Sequence, residues 1–191
     1  MKITVSLNKS SINNAIKQLQ NIKRKIPEML QELLVRCAEF VIERANIYLQ
    51  NADRGENVKN DIMSSWSYSF VGNSLIIRNT SDKAVYVEFG VGIVGEGSHP
   101  AASEAGYDYN QDSSAKQDDG SWHFFANESD LDIPLNNVDW GVYGTDDGRN
   151  RMSIYTRGAV GEMYAYNALE DLRTSGKIKQ FWEEIKEKHL K

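Results

Sequence analysis

The sequence predicts a single α+β domain over residues 1–191, in which long N-terminal helices pack on a small antiparallel β-sheet, with C-terminal helices and an acidic insertion. Apolar residues recur at helical spacing up to about residue 49, alternate at strand spacing from residue 66, and recur at helical spacing again after residue 163. This length suits one domain. We therefore expect a scaffold of residues 1–94 and 151–191, with the acidic insertion at 95–150.

The N-terminal part is predicted to be helical after a short strand at 3–7. Ser10 and Ser11 are suitable N-cap residues for the first helix. Pro27 either starts a second helix or kinks a continuous one, because proline is well tolerated only in a first turn. The apolar positions that define the helices are Ile12, Ala15, Ile16, Leu19 and Ile22, then Leu30, Leu33, Leu34, Cys37, Phe40, Val41, Ala45 and Tyr48.

The central segment predicts a polar loop at 51–60 and then a β-hairpin. Trp66, Tyr68 and Phe70 alternate with serines, which is the period of a strand with one packed face. Gly72 and Asn73 suit a two-residue turn, and residues 75–78 supply the second strand.

The rest of the chain is less regular. Residues 84–89 fit either a strand or a short helix, since six residues cannot settle the period. The insertion is predicted to hold strands near 122–125 and 138–143, because its aromatic residues are unusual for a linker. Two C-terminal helices separated by Gly176 are expected from the apolar residues Met163, Tyr166, Leu169 and Leu172, and Ile178, Phe181, Trp182 and Ile185.

Charge is divided unevenly along the chain. The formal net charge is −5, yet residues 95–150 hold two basic and twelve acidic residues, so they carry −10 and the remainder carries +5. No apolar run is long enough to cross a bilayer, and no signal peptide is evident at the N-terminus. The single cysteine, Cys37, excludes an intramolecular disulfide framework. We expect synthesis in the cytoplasm.

Motifs for catalysis, cofactors and metals are weak. Gly90 to Gly95 matches GxGxxG but lacks the following helix of a dinucleotide site, so a flexible glycine loop is the better interpretation. Asp108 to Asp119 approximates a calcium loop without its central glycine and final glutamate. The three histidines have no metal-ligand spacing, and His189 is expected in an exposed turn. We predict no catalytic residue, cofactor or metal, and no sequence-specific nucleic-acid binding.

One stretch carries a more specific signal. Ala84-Val-Tyr-Val-Glu-Phe-Gly-Val-Gly92 resembles the Tyr-hydrophobic-Glu-Phe-Gly-x-Gly signature of the tail-completion, or head–tail joining, proteins of tailed bacteriophages, the minor tail protein Z-like family. The order of predicted elements is similar over residues 1–95 and 155–191. The chain departs from the family in its loop at 51–58, which lacks the usual proline and threonine-glycine turn, and in the acidic insertion.

The resemblance implies a non-enzymatic structural protein of the phage neck or tail end, found in the virion and made in the bacterial cytoplasm. It implies a ring, expected to be a hexamer, that contacts itself and other neck and tail proteins, with no membrane and with packaged DNA passing nearby. The candidate assembly contacts are Tyr86, Glu88, Phe89, Gly90 and Gly92.

The role of Glu88 stays open between several options. Its carboxylate is suited to accept hydrogen bonds from backbone amides or to pair with an arginine of the next subunit. A local cap or an exposed acid is the simpler interpretation, and Tyr86 and Phe89 are most simply core residues. The alternative function is a calcium- or carbohydrate-binding module that uses the acidic insertion with Trp122 and Trp140.

Overall fold

The computed structural model describes residues 6–109, 121–126, 140–145 and 152–190. Within these ranges the chain is α+β, as predicted, with a long N-terminal helix, a two-stranded antiparallel hairpin and two C-terminal helices. Most of the core lies between the N-terminal helix and the C-terminal helices, so helix-on-helix packing is more extensive than helix-on-sheet packing.

Helix α1 (Lys9–Gln50) is one continuous helix that contains Pro27. Of the two predicted options, the interrupted pair of helices is therefore wrong. The N-cap is Asn8 and neither of the predicted serines, because Asn8 Oδ1 accepts a hydrogen bond from the Ser11 amide at 2.8 Å. Residues 3–5 of the predicted short strand lie outside the described residues, and residues 6 and 7 are not in a strand.

Helix α2 (Glu56–Ser64) occupies the second half of the segment predicted as a loop at 51–60, so the loop extends only over 51–55. The polar composition of this segment concealed a helix that buries Ile62 completely. The hairpin that follows is confirmed: β1 (Trp66–Val71) pairs antiparallel with β2 (Ser74–Asn79), and Gly72 turns at a φ of 60°. The prediction that one face of β1 is packed is correct only at Trp66, since Tyr68 and Phe70 are exposed.

The segment after the hairpin is ordered in short elements. These are α3 (Ala84–Phe89), β3 (Gly90–Val91), α4 (Gly92–Gly95) and α5 (Ala102–Ala105). Residues 84–89, left open between strand and helix, are helical. The prediction of a flexible glycine loop is wrong, because Gly90 and Val91 form a strand whose partner lies nearly seventy residues later in the chain.

A three-stranded sheet combines two strands of the acidic insertion with one strand that follows it. Strands β4 (Trp122–Ala126), β5 (Trp140–Thr145) and β6 (Met152–Thr156) form an antiparallel sheet in the order β4-β6-β5. The two strands predicted in the insertion are confirmed, but the central strand β6 and the following β7 (Gly158–Val160) were not predicted. Strand β7 pairs with β3, with Gly90 opposite Val160.

The predicted C-terminal helices are confirmed as α6 (Tyr164–Thr174) and α7 (Lys177–His189), separated by Gly176 at a φ of 73°. The second half of α1 packs in one core with α6, and α2, α3 and the base of the hairpin close the same core. The buried members of this core are Val41, Ala45, Leu49, Ile62, Ala84, Val87, Tyr164 and Ala168.

Ion pairs fix the C-terminal helices along α1. Arg44 pairs with Asp171 of α6 at 2.6 Å, and Arg36 pairs with Glu184 of α7 at 2.6 Å. At the end of α7, His189 Nε2 and Glu32 Oε2 lie 2.9 Å apart, so the exposed position predicted for this histidine is wrong. Its side chain is only 10% exposed.

The contact around Glu32 predicts a pH dependence of stability. Hydrogen bonds from His189 and then Lys188 lower the pKa of Glu32 from 4.5 to about 2. Because the pKa is lower in the folded than in the unfolded chain, this carboxylate stabilises the fold above about pH 4.5 and loses that effect as the pH falls towards 2. We expect Glu32→Gln to reduce the difference in unfolding midpoint between about pH 5.5 and about pH 2.5.

Urea unfolding at the two pH values measures this difference. The control is Glu28→Gln, which changes an exposed carboxylate on the same helix. It should retain the pH dependence of the original chain. An equal reduction in both variants would contradict the assigned role of Glu32.

Candidate functional site

Glu88 lies in the last turn of α3, and its carboxylate is buried against the start of α6. Oε2 accepts a hydrogen bond from the Ala165 amide at 2.8 Å, and Oε1 accepts one from the Tyr166 amide at 2.8 Å. Only 7% of the residue is exposed. The carboxylate therefore acts as an N-terminal cap for a helix that begins 76 residues later in the chain.

Helix α6 needs this cap because its own sequence does not supply one. Met163, at its N-cap position, has a left-handed backbone with φ 51° and makes no side-chain capping bond. The first amides of any helix have no partner within the helix, and a negative charge there is stabilised by the helix dipole. Glu88, which belongs to α3, accepts hydrogen bonds from two of these amides and also supplies the negative charge.

His99 completes the set of donors to Glu88. Its Nε2 lies 3.1 Å from Glu88 Oε1, and its Nδ1 accepts a hydrogen bond from the Ala101 amide at 3.1 Å. Since Nδ1 acts as an acceptor, the proton of the neutral ring is on Nε2, which donates to the carboxylate. The tautomer and the ring orientation are thus both determined by the chain.

Aromatic rings enclose this pair. Phe89 packs against His99 with ring centroids 4.3 Å apart and stacks on Tyr107 at 4.7 Å. The Tyr107 hydroxyl donates to the Gly90 carbonyl at 2.6 Å. Burial, followed by the nearby Tyr86, Tyr109 and Asp108, raises the pKa of Tyr107 to about 12, so this donor keeps its proton at neutral pH.

Glycines bring β3 and β7 together where side chains would not fit. We name Gly90, Gly92, Gly95, Gly158 and Gly161 the glycine junction. A Cβ atom on Gly158 would lie 1.9 Å from the Val91 carbonyl oxygen, and one on Gly161 would lie 2.5 Å from the Phe89 carbonyl carbon. The GxGxxG pattern therefore serves close backbone packing, and the described residues that follow it, 96–109, contain the four-residue helix α5 in place of the long helix that a dinucleotide site requires.

Two further side chains hold the glycine junction closed. Ser98 Oγ donates to the Phe89 carbonyl and accepts from the Gly161 amide, each at 3.1 Å. Arg54 pairs with Glu162 at 2.6 Å and also donates to the Val160 carbonyl. The loop before α2 is thereby tied to the segment that leads into α6.

The structure brings the predicted contact residues into one region but gives them different roles. Glu88 is a buried cap, so its interpretation as an exposed acid is wrong; of the options left open, bonding to backbone amides is the one observed. Tyr86 is 43% exposed, so its assignment to the core is also wrong, whereas Phe89 is half-buried. Gly90 and Gly92 belong to the glycine junction.

Sequence reasoning missed His99, Ser98 and Arg54 as members of this site. No local pattern marks them, because each acts on a residue distant in sequence. The one available signal was the pair of glycine-rich segments at 90–97 and 158–161, which share a composition that suits close backbone contact.

The metal prediction concerns residues that are only partly described. Within the described ranges, no group of three or more His, Cys, Asp or Glu side chains is arranged to hold a metal ion. Most of the candidate calcium loop lies outside those ranges, including Asp112, Ser114 and Asp119. The alternative of a calcium- or carbohydrate-binding module therefore stays a prediction.

Comparison with known proteins gives no identification: no family model matches the chain, and neither a curated protein nor a solved structure is significantly similar to it. In the described part of the chain, none of the helices combines the length and the apolar character that crossing a membrane requires. The site itself defines a buried structural joint between α3, the glycine junction and α6.

Proposed function

We propose that this chain is a non-enzymatic structural protein of a tailed bacteriophage, which joins the completed tail to the head as part of a closed ring. The proposal starts from the resemblance of Ala84 to Gly92 to the signature of tail-completion proteins. In the fold, this signature builds a joint between distant parts of the chain. Such a use suits a structural assembly protein.

The observation that carries the proposal is the surface that the joint supports. Glu88 and the glycine junction are buried, while the apolar side chains beside them are between 40% and 50% exposed. Those side chains are Val85, Tyr86, Ile93 and Val160. Exposed apolar residues on a fixed backbone are typical of protein–protein contacts, because little conformational entropy is lost when they are covered.

A ring requires two different surfaces that meet head to tail on successive subunits. We assign the surface of Val85, Tyr86, Ile93 and Val160 as one of them. The partners under this proposal are other copies of the chain and neighbouring neck and tail proteins. The proposed location is the virion, after synthesis in the bacterial cytoplasm.

Self-association tests the proposed contact. We expect the purified chain to form a closed oligomer whose mass is measured by light scattering coupled to size exclusion. Val160→Asp should shift the mass to that of the protomer, because a carboxylate buried in an apolar contact has no partner. The control is Val71→Asp at the hairpin end, which is similarly exposed and should leave the oligomer intact. A protomer mass at every concentration, or equal effects of both variants, would count against the ring.

A further inference from the structure

The first part of α1 extends beyond the helices that cover the rest of it. Helix α7 runs antiparallel along α1, from the contact of Phe181 with Phe40 to the hydrogen bond that Lys25 donates to the His189 carbonyl. We call residues 9–24 the arm. Among the described residues, every hydrogen bond of the arm is made within α1 or with Ser6 and Asn8.

The arm presents an apolar seam, interrupted by lysine, to its surroundings. Positions alternately four and three residues apart carry Ile12, Ile16, Leu19, Lys23, Ile26, Leu30, Leu33, Cys37 and Phe40. This is the a/d repeat of helices that pack side by side over several turns. Ile12, Ile16 and Leu19 are between 41% and 56% exposed, and Ile26 and Leu30 further along the seam are 40% and 46% exposed. Ala15, beside the seam, is the buried residue of the arm.

The same seam is already used for helix packing at its other end. Around Phe40 it is covered by α7, with the Phe40 and Phe181 ring centroids 6.2 Å apart. Beside that contact the charges of the two helices are complementary, since Arg36 meets Glu184 at 2.6 Å and Glu32 meets Lys188 at 2.9 Å. The seam of the arm therefore leads to a contact with a helix at Phe40, beside which the charges are complementary.

The charge of the arm indicates which kind of helix would bind to it. The arm carries Lys9, Lys17, Lys23 and Arg24 and no acidic residue, so its formal charge is +4. Lys9 and Lys23 fall on the a/d repeat itself. Two arms packed together would bring like charges into contact, which is unfavourable. A helix with carboxylates beside its own apolar residues would neutralise these lysines.

We propose that the arm is a docking surface for an amphipathic helix of another protein, whose apolar face is flanked by acidic side chains. This contact is separate from the ring contact assigned to α3, α4 and β7. A helical partner is favoured over an anionic membrane because the repeat continues over several heptads and the arm has no aromatic residue.

Designed peptides test the proposal on the full chain. The probe is a fluorescent peptide about three heptads long, with leucine at the a and d positions and glutamate at the e and g positions. The matched peptide has lysine at e and g. We expect fluorescence anisotropy to give at least about tenfold tighter binding of the glutamate peptide. Equal binding of the two peptides, or no binding of either, would overturn the proposal.

Variants of the arm locate the contact. Ile16→Ala with Leu19→Ala removes exposed seam residues while keeping good helix formers, and should weaken binding of the glutamate peptide by about tenfold or more. Asn14→Ala with Gln18→Ala changes the opposite face and should leave binding unchanged. Circular dichroism should show the same helix content in both.

Two other ligands serve as competing outcomes. Duplex DNA and phosphatidylserine-containing vesicles are each titrated with the same variants. The proposal requires that the Ile16 and Leu19 variant lose peptide binding selectively. Tighter binding of DNA or vesicles than of the glutamate peptide, or unchanged peptide binding by that variant, would overturn it.

Discussion

Gly158→Ala is expected to destabilise the fold by more than about 4 kcal/mol, and in practice to prevent accumulation of folded protein. The new Cβ atom would lie 1.9 Å from the Val91 carbonyl oxygen, which belongs to a strand and has little room to move. The backbone at Gly158 also has a φ of 119°, which non-glycine residues rarely adopt. Yield of folded protein and urea unfolding measure the effect.

Two further glycine variants separate the two causes of this destabilisation, which are the close backbone approach and the backbone conformation. Gly161 does not have a positive φ, so Gly161→Ala reports the close backbone approach alone and should cost about 3 kcal/mol. Gly97 has a φ of 74° with open space around it, so Gly97→Ala reports only the backbone conformation and should cost about 1 kcal/mol. If Gly158→Ala destabilised the fold no more than Gly97→Ala, the close approach of β3 and β7 described above would be wrong.

Glu88→Ala is expected to destabilise the fold by about 3 kcal/mol or more, because it leaves one buried and two partly buried donors without their acceptor. These donors are the amides of Ala165 and Tyr166 and the ring Nε2 of His99. The start of α6 should fray first, since the helix has no side-chain cap of its own. Urea unfolding gives the free energy, and amide hydrogen exchange at 164–168 gives the local effect.

Conservative and exposed controls sharpen this test. Glu88→Gln keeps one acceptor oxygen but turns an amide NH₂ towards a donor, so its cost should be intermediate. Glu96→Ala removes an exposed carboxylate nearby and should change stability by less than about 0.5 kcal/mol. Equal stability of Glu88→Ala and Glu96→Ala would contradict the capping role.

Local patterns predicted the regular elements well. The apolar series predicted helix α1, the alternation around Tyr68 predicted strand β1, and Gly72 and Gly176 predicted breaks between elements. Each of these signals acts within a few residues. Helix α2 at 56–64 was not predicted, because one fully buried apolar residue, Ile62, is too little to create a periodic signal. The Asn8 cap was missed because two nearby serines offered the same chemistry.

The candidate site depends on contacts that local patterns do not contain. Glu88 was selected from a family resemblance, but its partners lie at His99 and at the start of α6. Strand β7 is three residues long and forms only because Gly158 allows Val91 to approach. Short strands and close backbone contacts of this kind are determined by tertiary packing, so neither residue propensity nor residue spacing identifies them.

The chain combines a buried joint with two exposed surfaces. The joint of Glu88, His99 and the glycine junction holds α3 and α6 in a fixed relation. The apolar residues around Tyr86 are proposed to contact a neighbouring subunit, and the basic arm of α1 is proposed to bind an acidic helix. Under these proposals, the buried polar groups stabilise the chain and the exposed apolar groups connect it to other proteins.

Deletion of the gene for this chain tests the central proposal, that the protein joins the tails of a bacteriophage to their heads. Electron microscopy of the resulting lysate should reveal filled heads and complete tails that remain separate, with joining restored when the chain is supplied from a plasmid. Normal infectious virions in the absence of the chain would contradict the account.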